Sequence, residues 1–289
     1  MKKLYYFLIF ATISNNLFSQ PIPTEFKECV SFIYLQKPNG IPIPDGTGFF
    51  VGLKDKNDTT RSFIFLVTAK HVIQERDGRY VKSILLRMNT KDSVRYVYVP
   101  INTDGIEKDI FISSDSTVDL VCISIEFKDY TKYEFKIIPT EYFISRNEYQ
   151  KIPEGTEVFF TGLFTSHIGE KHNFPIFRFG HVALVTDEKI LFNGMKREMA
   201  IVETSTYGGN SGSPIFYKIF ATNNSWYYKL GGIINGFFGN YMPLELVNTG
   251  TQTPVTDLNI GIAAVTPSFF ISEIFNSDDF QQFLRQIKN

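Results

Sequence analysis

The chain has 289 residues, 43% of them apolar and 16% aromatic, which is enough for a large buried core and excludes a disordered chain or a fibre. Its 29 Lys and Arg against 30 Asp and Glu leave a formal charge of −1, so there is no basic footprint for nucleic acid. Two cysteines without any paired Cys/His spacing exclude a structural zinc site, and neither a metal nor a cofactor is expected.

Met1-Lys2-Lys3, the apolar run from Leu4 to Ile13 and the polar turn Ser14-Asn15-Asn16 have the order of a secretory signal peptide, with Ser19 as the small residue near cleavage. Residues 1–20 are therefore expected to be removed and the mature chain to be secreted or periplasmic. The apolar run is too short to span a bilayer comfortably, so no stable membrane anchor is expected.

From Glu25 onward the pattern is strand, turn, strand. Cys29 to Gln36, Gly48 to Gly52 and Phe63 to Val67 read as strands, the last two as a hairpin, and Thr68 to Ile73 as a short helical piece. Arg79 to Arg87, Val94 to Val99, Ile110 to Ile112 and the nearly unbroken apolar run Leu120 to Ile125 complete a first group. Lys128 to Gln150 lacks periodicity and crosses to a second group, with strands at Glu157 to Thr161, Pro175 to Val185, Lys189 to Phe192, Ala200 to Glu203, Pro214 to Phe220, Trp226 to Ile234 and Ile260 to Val265. Roughly a dozen short strands without alternating helices predict an all-β fold. Thr266-Pro267 is read as a helix start, and Phe280, Phe283, Leu284 and Ile287 predict a second helix whose apolar face lies against the second half. Cys29 and Cys122 lie in apolar strand-like runs and are expected to be buried free thiols.

Chemistry concentrates at Gly208-Gly209-Asn210-Ser211-Gly212-Ser213-Pro214, where glycines on both sides of one hydroxyl permit a tight turn with converging N–H groups. A serine nucleophile needs such a turn, with the N–H groups of Gly209 and Ser211 facing a developing oxyanion. Taken alone, the heptapeptide serves equally as a Gly/Ser/Pro surface turn. A base must also take the serine proton. Of four histidines, His71 stands where a strand hands over to a turn, whereas His167, His172 and His181 read as surface residues. Asp119, directly before the apolar run Leu120 to Ile125, is the best carboxylate to orient the imidazole, with Asp115 and Asp109 in more polar surroundings.

The order His71, Asp119, Ser211 resembles that of the trypsin-like, chymotrypsin-fold serine peptidases. The resemblance is carried by Gly46-Thr47-Gly48-Phe49-Phe50-Val51, Val67-Thr68-Ala69-Lys70-His71-Val72, Asp119-Leu120-Val121 and Gly209-Asn210-Ser211-Gly212-Ser213-Pro214, supported by Gly232-Ile233-Ile234-Asn235 and Asn259-Ile260-Gly261-Ile262-Ala263. It implies two six-stranded antiparallel β-barrels, about 26–130 and about 152–266, within a peptidase domain of 21–289, a cleft between them and a helical tail at 267–288. It further implies His71, Asp119 and Ser211 as catalytic residues, Gly209 and Ser211 as oxyanion hole, Ser205 at the base of a specificity pocket, and Asn235-Gly236-Phe237 pairing with a protein or peptide substrate. Neutral Ser205 implies a small or medium apolar side chain before the scissile bond, with Phe237 and Phe238 narrowing the pocket. Asn210 before Ser211, with no activation sequence, is more similar to the bacterial branch that includes the HtrA/Deg proteases, without their following PDZ domain. An endopeptidase is the leading expectation; a catalytically silent binding module of the same fold, or an esterase using the same triad, is the alternative.

Overall fold

The structure is a computed structural model that describes residues 22–36, 40–55, 58, 61–75, 77–92, 95–103, 110–221, 225–240, 243–245, 252–254 and 258–287. The expected signal peptide at 1–20 and Asp109 lie outside the described residues. The first lobe is built from β1 (Val30–Gln36), β2 (Pro42–Lys54), β3 (Ser62–Thr68), β4 (Ser83–Thr90), β5 (Val97–Asn102), β6 (Ile110–Ile112), β7 (Val121–Ser124), β8 (Tyr133–Glu134) and β9 (Ile138–Pro139). These form one nine-stranded sheet in the order β5-β4-β1-β2-β3-β7-β6, with β8 on β4 and β9 on β2. The second lobe contributes β10 (Glu157–Gly162), β11 (Ile176–Leu184), β12 (Ile190–Phe192), β13 (Met195–Arg197), β14 (Ala200–Glu203), β15 (Pro214–Phe220), β16 (Trp226–Asn240), β17 (Pro243–Glu245), β18 (Gln252–Pro254) and β19 (Leu258–Pro267). Six of them close as the barrel β10-β11-β14-β19-β16-β15, while β12–β13 and β17–β18 are separate hairpins.

Closure was expected of both lobes, and the second closes with six strands as expected. The first is a curled sheet whose edge strands β5 and β6 do not pair with each other among the described residues. Its curl has a local cause. The 13-residue β2 pairs with β1 from Pro42 to Phe49 and with β3 from Phe49 to Lys54, so one strand serves two neighbours along its length. A register shift at Ile33/Tyr34 adds the bend of a β-bulge.

Among the described residues four short α-helices accompany the strands: α1 (Glu25–Glu28), α2 (Arg146–Tyr149), α3 (Phe269–Phe275) and α4 (Asp278–Ile287). On α2, Ser145 and Glu148 form a reciprocal capping box, and buried Tyr149 meets Phe269 at 5.3 Å. On α1, fully buried Phe26 packs on Phe159, Phe216 and Tyr228 of the second lobe, with centroids at 5.1, 4.6 and 5.6 Å. The tail does the reverse and corrects the sequence expectation. On α4, Phe280 lies 5.1 Å from Phe65 and 4.9 Å from Phe111, both in the first lobe. At about 0.5–1.5 kcal/mol per aromatic pair beyond the area buried, these crossed ends fasten each lobe to the other. The helical tail also begins later than expected. Thr266 donates its N–H to Asn235 Oδ1 at 2.8 Å and stays in β19, so α3 follows Ser268.

Cys29 and Cys122 are free and fully buried. The Cys29 Sγ–H donates to Phe26 O at 3.0 Å, and burial pushes both thiols well above the ordinary range, leaving them unreactive. Among the described residues no helix is long and apolar enough to cross a membrane, and no His/Cys/Asp/Glu group could hold a metal ion.

Candidate active site

Strand register brings His71 and Asp119 together. In the antiparallel β3–β7 pair, Thr68 lies opposite Val121, so the segment leaving β3 and the segment entering β7 share one end of the sheet. His71 sits on a 3-10 turn, Lys70–Ile73, whose Val72 and Ile73 are buried and point the imidazole outward, with 47% of its side chain exposed. Asp119 is 8% exposed, between buried Val118 and Leu120. Its Oδ2 takes the His71 Nδ1–H at 2.7 Å and its Oδ1 takes the His71 backbone N–H at 3.1 Å. The ring is thereby fixed with Nε2 directed away from the carboxylate, the tautomer a general base requires.

Burial works against an imidazolium at His71, yet the bond to Asp119, its charge and that of Asp45 outweigh burial and the opposing Arg197, raising the pKa above the ordinary histidine value. Burial likewise disfavours the Asp119 carboxylate, but its bond to His71, with the charges of His71 and Arg197, holds its pKa below the usual range. Asp115 has a different task. It accepts from the hydroxyl and N–H of Thr117 and from Lys189, which lowers it to about 2 and shapes the loop leading to Asp119.

Ser211 stands in the turn before β15, pressed against the first lobe. Its carbonyl accepts the Thr47 N–H at 2.9 Å, and Gly46 lies between that carbonyl and the side chain of Val72, where a Cβ would meet Val72 closely. Gly212, with φ +83°, rests on Thr47 O and Thr68 Oγ1, both of which an added Cβ would overlap. Asn210 locks the turn from within: its Nδ2 donates to Leu163 O at 2.6 Å and its Oδ1 accepts the Tyr207 N–H at 2.9 Å. The N–H groups of Asn210, Gly212 and Ser213 go to Tyr207 O, Ile234 O and Asn210 O. Those of Gly208, Gly209 and Ser211 take no acceptor among the described residues, and Gly209 and Ser211 bracket Asn210. Ser211 Oγ and His71 Nε2 likewise make no hydrogen bond, to each other or to another described residue.

The remaining residues named from sequence are spread around this turn. Ser205 is exposed, next to Thr206, which is 1% exposed and whose Oγ1 lacks a partner among the described residues. Asn235 is 4% exposed, and its side chain joins the lobes: Nδ2 donates to Asp119 O at 2.7 Å while Oδ1 accepts from Thr266. Gly236 and Phe237 pair with Ala264 and Ala263 of β19, whereas β15 stops pairing with β16 at Ile233, so the other edge of β16 carries no described strand at Gly236 and Phe237. Phe238 packs on Phe192 at 5.0 Å. His167, His172 and His181 stand apart from Asp119, the first two beside Phe174.

Sequence reading missed Arg197. It is 9% exposed, and its Nη1 lies 3.5 Å from the Asp119 Oδ2 that His71 uses. A signal for it existed: Asn193-Gly194 between Ile190–Phe192 and Met195–Arg197 is a two-residue hairpin turn. Carrying the pairing through that turn would have set Arg197 opposite Ile190, on the face that Phe192 buries.

No family model matches the sequence, and no curated protein matches it. Among solved structures, the chain is similar to the MamO protease domain from Magnetospirillum magneticum in its apo form, with a TM-score of 0.50 and 13% identity, over 86% of this chain and 96% of that one. A second match is Rv3671c from M. tuberculosis, an inactive form with a serine replaced by alanine, with a TM-score of 0.44 and 10% identity, over 89% of this chain and 93% of that one. With the closed six-stranded barrel, the curled partner sheet and the short helical tail, the first likeness gives the chain a chymotrypsin-like protease fold.

Proposed function

We propose that this chain is an exported serine endopeptidase whose mature domain spans residues 21–289, acting through Ser211, His71 and Asp119 and an acyl-enzyme intermediate. The observation that carries this reading is the Asp119–His71 pair, closed by two hydrogen bonds at 2.7 and 3.1 Å, on the lobe against which the Ser211 turn packs through Thr47 and Thr68, while the Gly209 and Ser211 N–H groups of that turn have no acceptor among the described residues. A binding module has no use for that combination.

In this reading a peptide strand adds to the free edge of β16 at Gly236 and Phe237, which sets its carbonyl over Ser211. As Ser211 Oγ attacks the carbonyl carbon, its proton passes to His71 Nε2, and the carbonyl oxygen becomes an oxyanion held by the Gly209 and Ser211 N–H groups. Asp119 steadies the imidazolium. The intermediate collapses, the C–N bond breaks, and the departing amine takes the proton from His71. Water, deprotonated by the same imidazole, then releases the acyl group and restores Ser211. The missing Ser211–His71 hydrogen bond fits a contact that commonly tightens only with substrate in place. With exposed, neutral Ser205 near Thr206, the substrate preference is for a small or medium apolar side chain before the scissile bond.

The test is covalent labelling of the purified mature protein with a fluorophosphonate probe. Wild type is expected to label, and Ser211→Ala and His71→Ala are not. The open Ser211–His71 contact also favours a second reading, a catalytically silent module; folded wild-type protein that never labels would establish that reading instead. Turnover of simple esters but not peptides would point to an esterase.

A further inference from the structure

Arg197 reaches Asp119 from the opposite lobe. Its hairpin, β12–β13, turns at Asn193 (φ +47°) and Gly194 (φ +76°), a two-residue turn of the kind that matches strand twist. With Ile190 opposite Arg197 and Phe192 opposite Met195, side chains alternate so that Ile190, Phe192 and Arg197 share a face. Phe192, 4% exposed, anchors that face in a small cluster with Met199 and Ala264, against Phe238. The Arg197 side chain is left 11% exposed, its guanidinium 6.0 Å from the Phe192 ring and its Nη1 3.5 Å from Asp119 Oδ2. Its Nε is buried with no partner among the described residues. At the start of the hairpin, Lys189 Nζ lies 2.9 Å from Asp115 Oδ2, so the hairpin grips the 115–119 segment at two points.

A buried arginine beside an aspartate can be a plain structural clasp. The choice of oxygen argues for more. Oδ1 of Asp119 is used by the His71 backbone N–H, and Oδ2, which holds the imidazole, is also the atom nearest Arg197. We propose that Arg197 is a positioning residue for the His71–Asp119 pair: delivered across the seam by the β12–β13 hairpin, it shares Oδ2 with the imidazole, fixes the carboxylate's direction and weakens its hold on the imidazole proton. This rests on the peptidase reading for its purpose, though not for its geometry. Against the guanidinium, Asp119 and Asp45 favour the charged imidazole, and Lys70, held by Ser116 O at 3.1 Å, adds its charge near Asp119, Asp115 and Arg197. Without Arg197 the two carboxylates would act on His71 less opposed, and the ring would keep its proton to higher pH.

The experiment is NMR titration of the His71 ring in the Ser211→Ala protein, compared with the same protein carrying Arg197→Gln or Arg197→Lys. The midpoint is expected to move to higher pH with glutamine and to return most of the way with lysine. In protein with Ser211 intact, the acid limb of kcat/KM is expected to move the same way, with a severalfold loss at weakly acidic pH and little change in KM. An unchanged His71 titration in folded Arg197→Gln protein would overturn the proposal. Should that variant not fold, the Arg197 guanidinium resonances of the Ser211→Ala protein serve: they are expected to follow the His71 midpoint, and resonances blind to it would overturn the proposal equally. A displaced His71 titration in a protein whose parent never labels with fluorophosphonate would remove the peptidase reading and leave the Arg197 coupling standing. Labelling with no displacement would do the opposite.

Discussion

The two halves of the candidate site differ in how much of their hydrogen bonding the protein completes by itself. On the first lobe, both Asp119 oxygens are in use, and the His71 ring is held at Nδ1. On the second, Asn210 and Gly212 bind the turn tightly, yet the N–H groups of Gly209 and Ser211 and the Ser211 hydroxyl have no partner among the described residues. Polar groups left open in a turn that is otherwise rigid are what a reacting carbonyl would fill. On the proposed reading, one half is finished in advance and the other is finished by substrate.

Changes that break this division have graded effects. Ser211→Ala, which removes the open hydroxyl, is expected to cost about a millionfold in kcat while leaving stability unchanged, as read by peptide turnover alongside thermal melting. Asp119→Asn keeps the shape of the finished half but removes its charge, and is expected to cost about ten-thousandfold in kcat.

Gly212→Ala tests the rigidity of the turn. A side chain there needs positive φ and overlaps Thr47 O, so a loss of about 3 kcal/mol is expected in urea unfolding. Gly208→Ala meets open space and is expected to cost less than about 0.5 kcal/mol.

The smallest effect is in pH. Since the His71 pKa is raised, activity is expected to rise with pH through a midpoint higher than that of an ordinary histidine, as the base loses its proton. The stability that His71 gains from Asp119 is full below the ordinary imidazole value and is lost as pH rises through the raised one. What Asp119 gains is present above the ordinary carboxylate range and is lost as pH falls through its depressed value. The melting-temperature loss in Asp119→Asn should therefore be greatest between those limits.

The finished half was largely readable in sequence, because its geometry follows from short-range patterns. A strand ending at Val67 or Thr68 and another beginning at Val121 put His71 and Asp119 at one sheet end once the strands pair. The turn at Ser211 was readable for the same reason, from its glycines. Arg197 was not: in Met195-Lys196-Arg197-Glu198 it looks like a solvated charge run, and its burial depends on a hairpin folding onto the other lobe. The docking of α4 on the first lobe and the curl of the nine-stranded sheet were hidden for a similar reason. Periodicity gives a helix its apolar face, but the choice between Phe65 with Phe111 and the second lobe is made by tertiary packing.

The most direct test is a crystal structure of the protein after reaction with a peptidyl phosphonate. Phosphorus is expected on Ser211 Oγ, with its oxygen accepting hydrogen bonds from the Gly209 and Ser211 N–H groups and with His71 Nε2 within bonding reach of Ser211 Oγ. A phosphonate on any other residue, or one on Ser211 with its oxygen turned away from both N–H groups, would contradict the division of labour between the two halves.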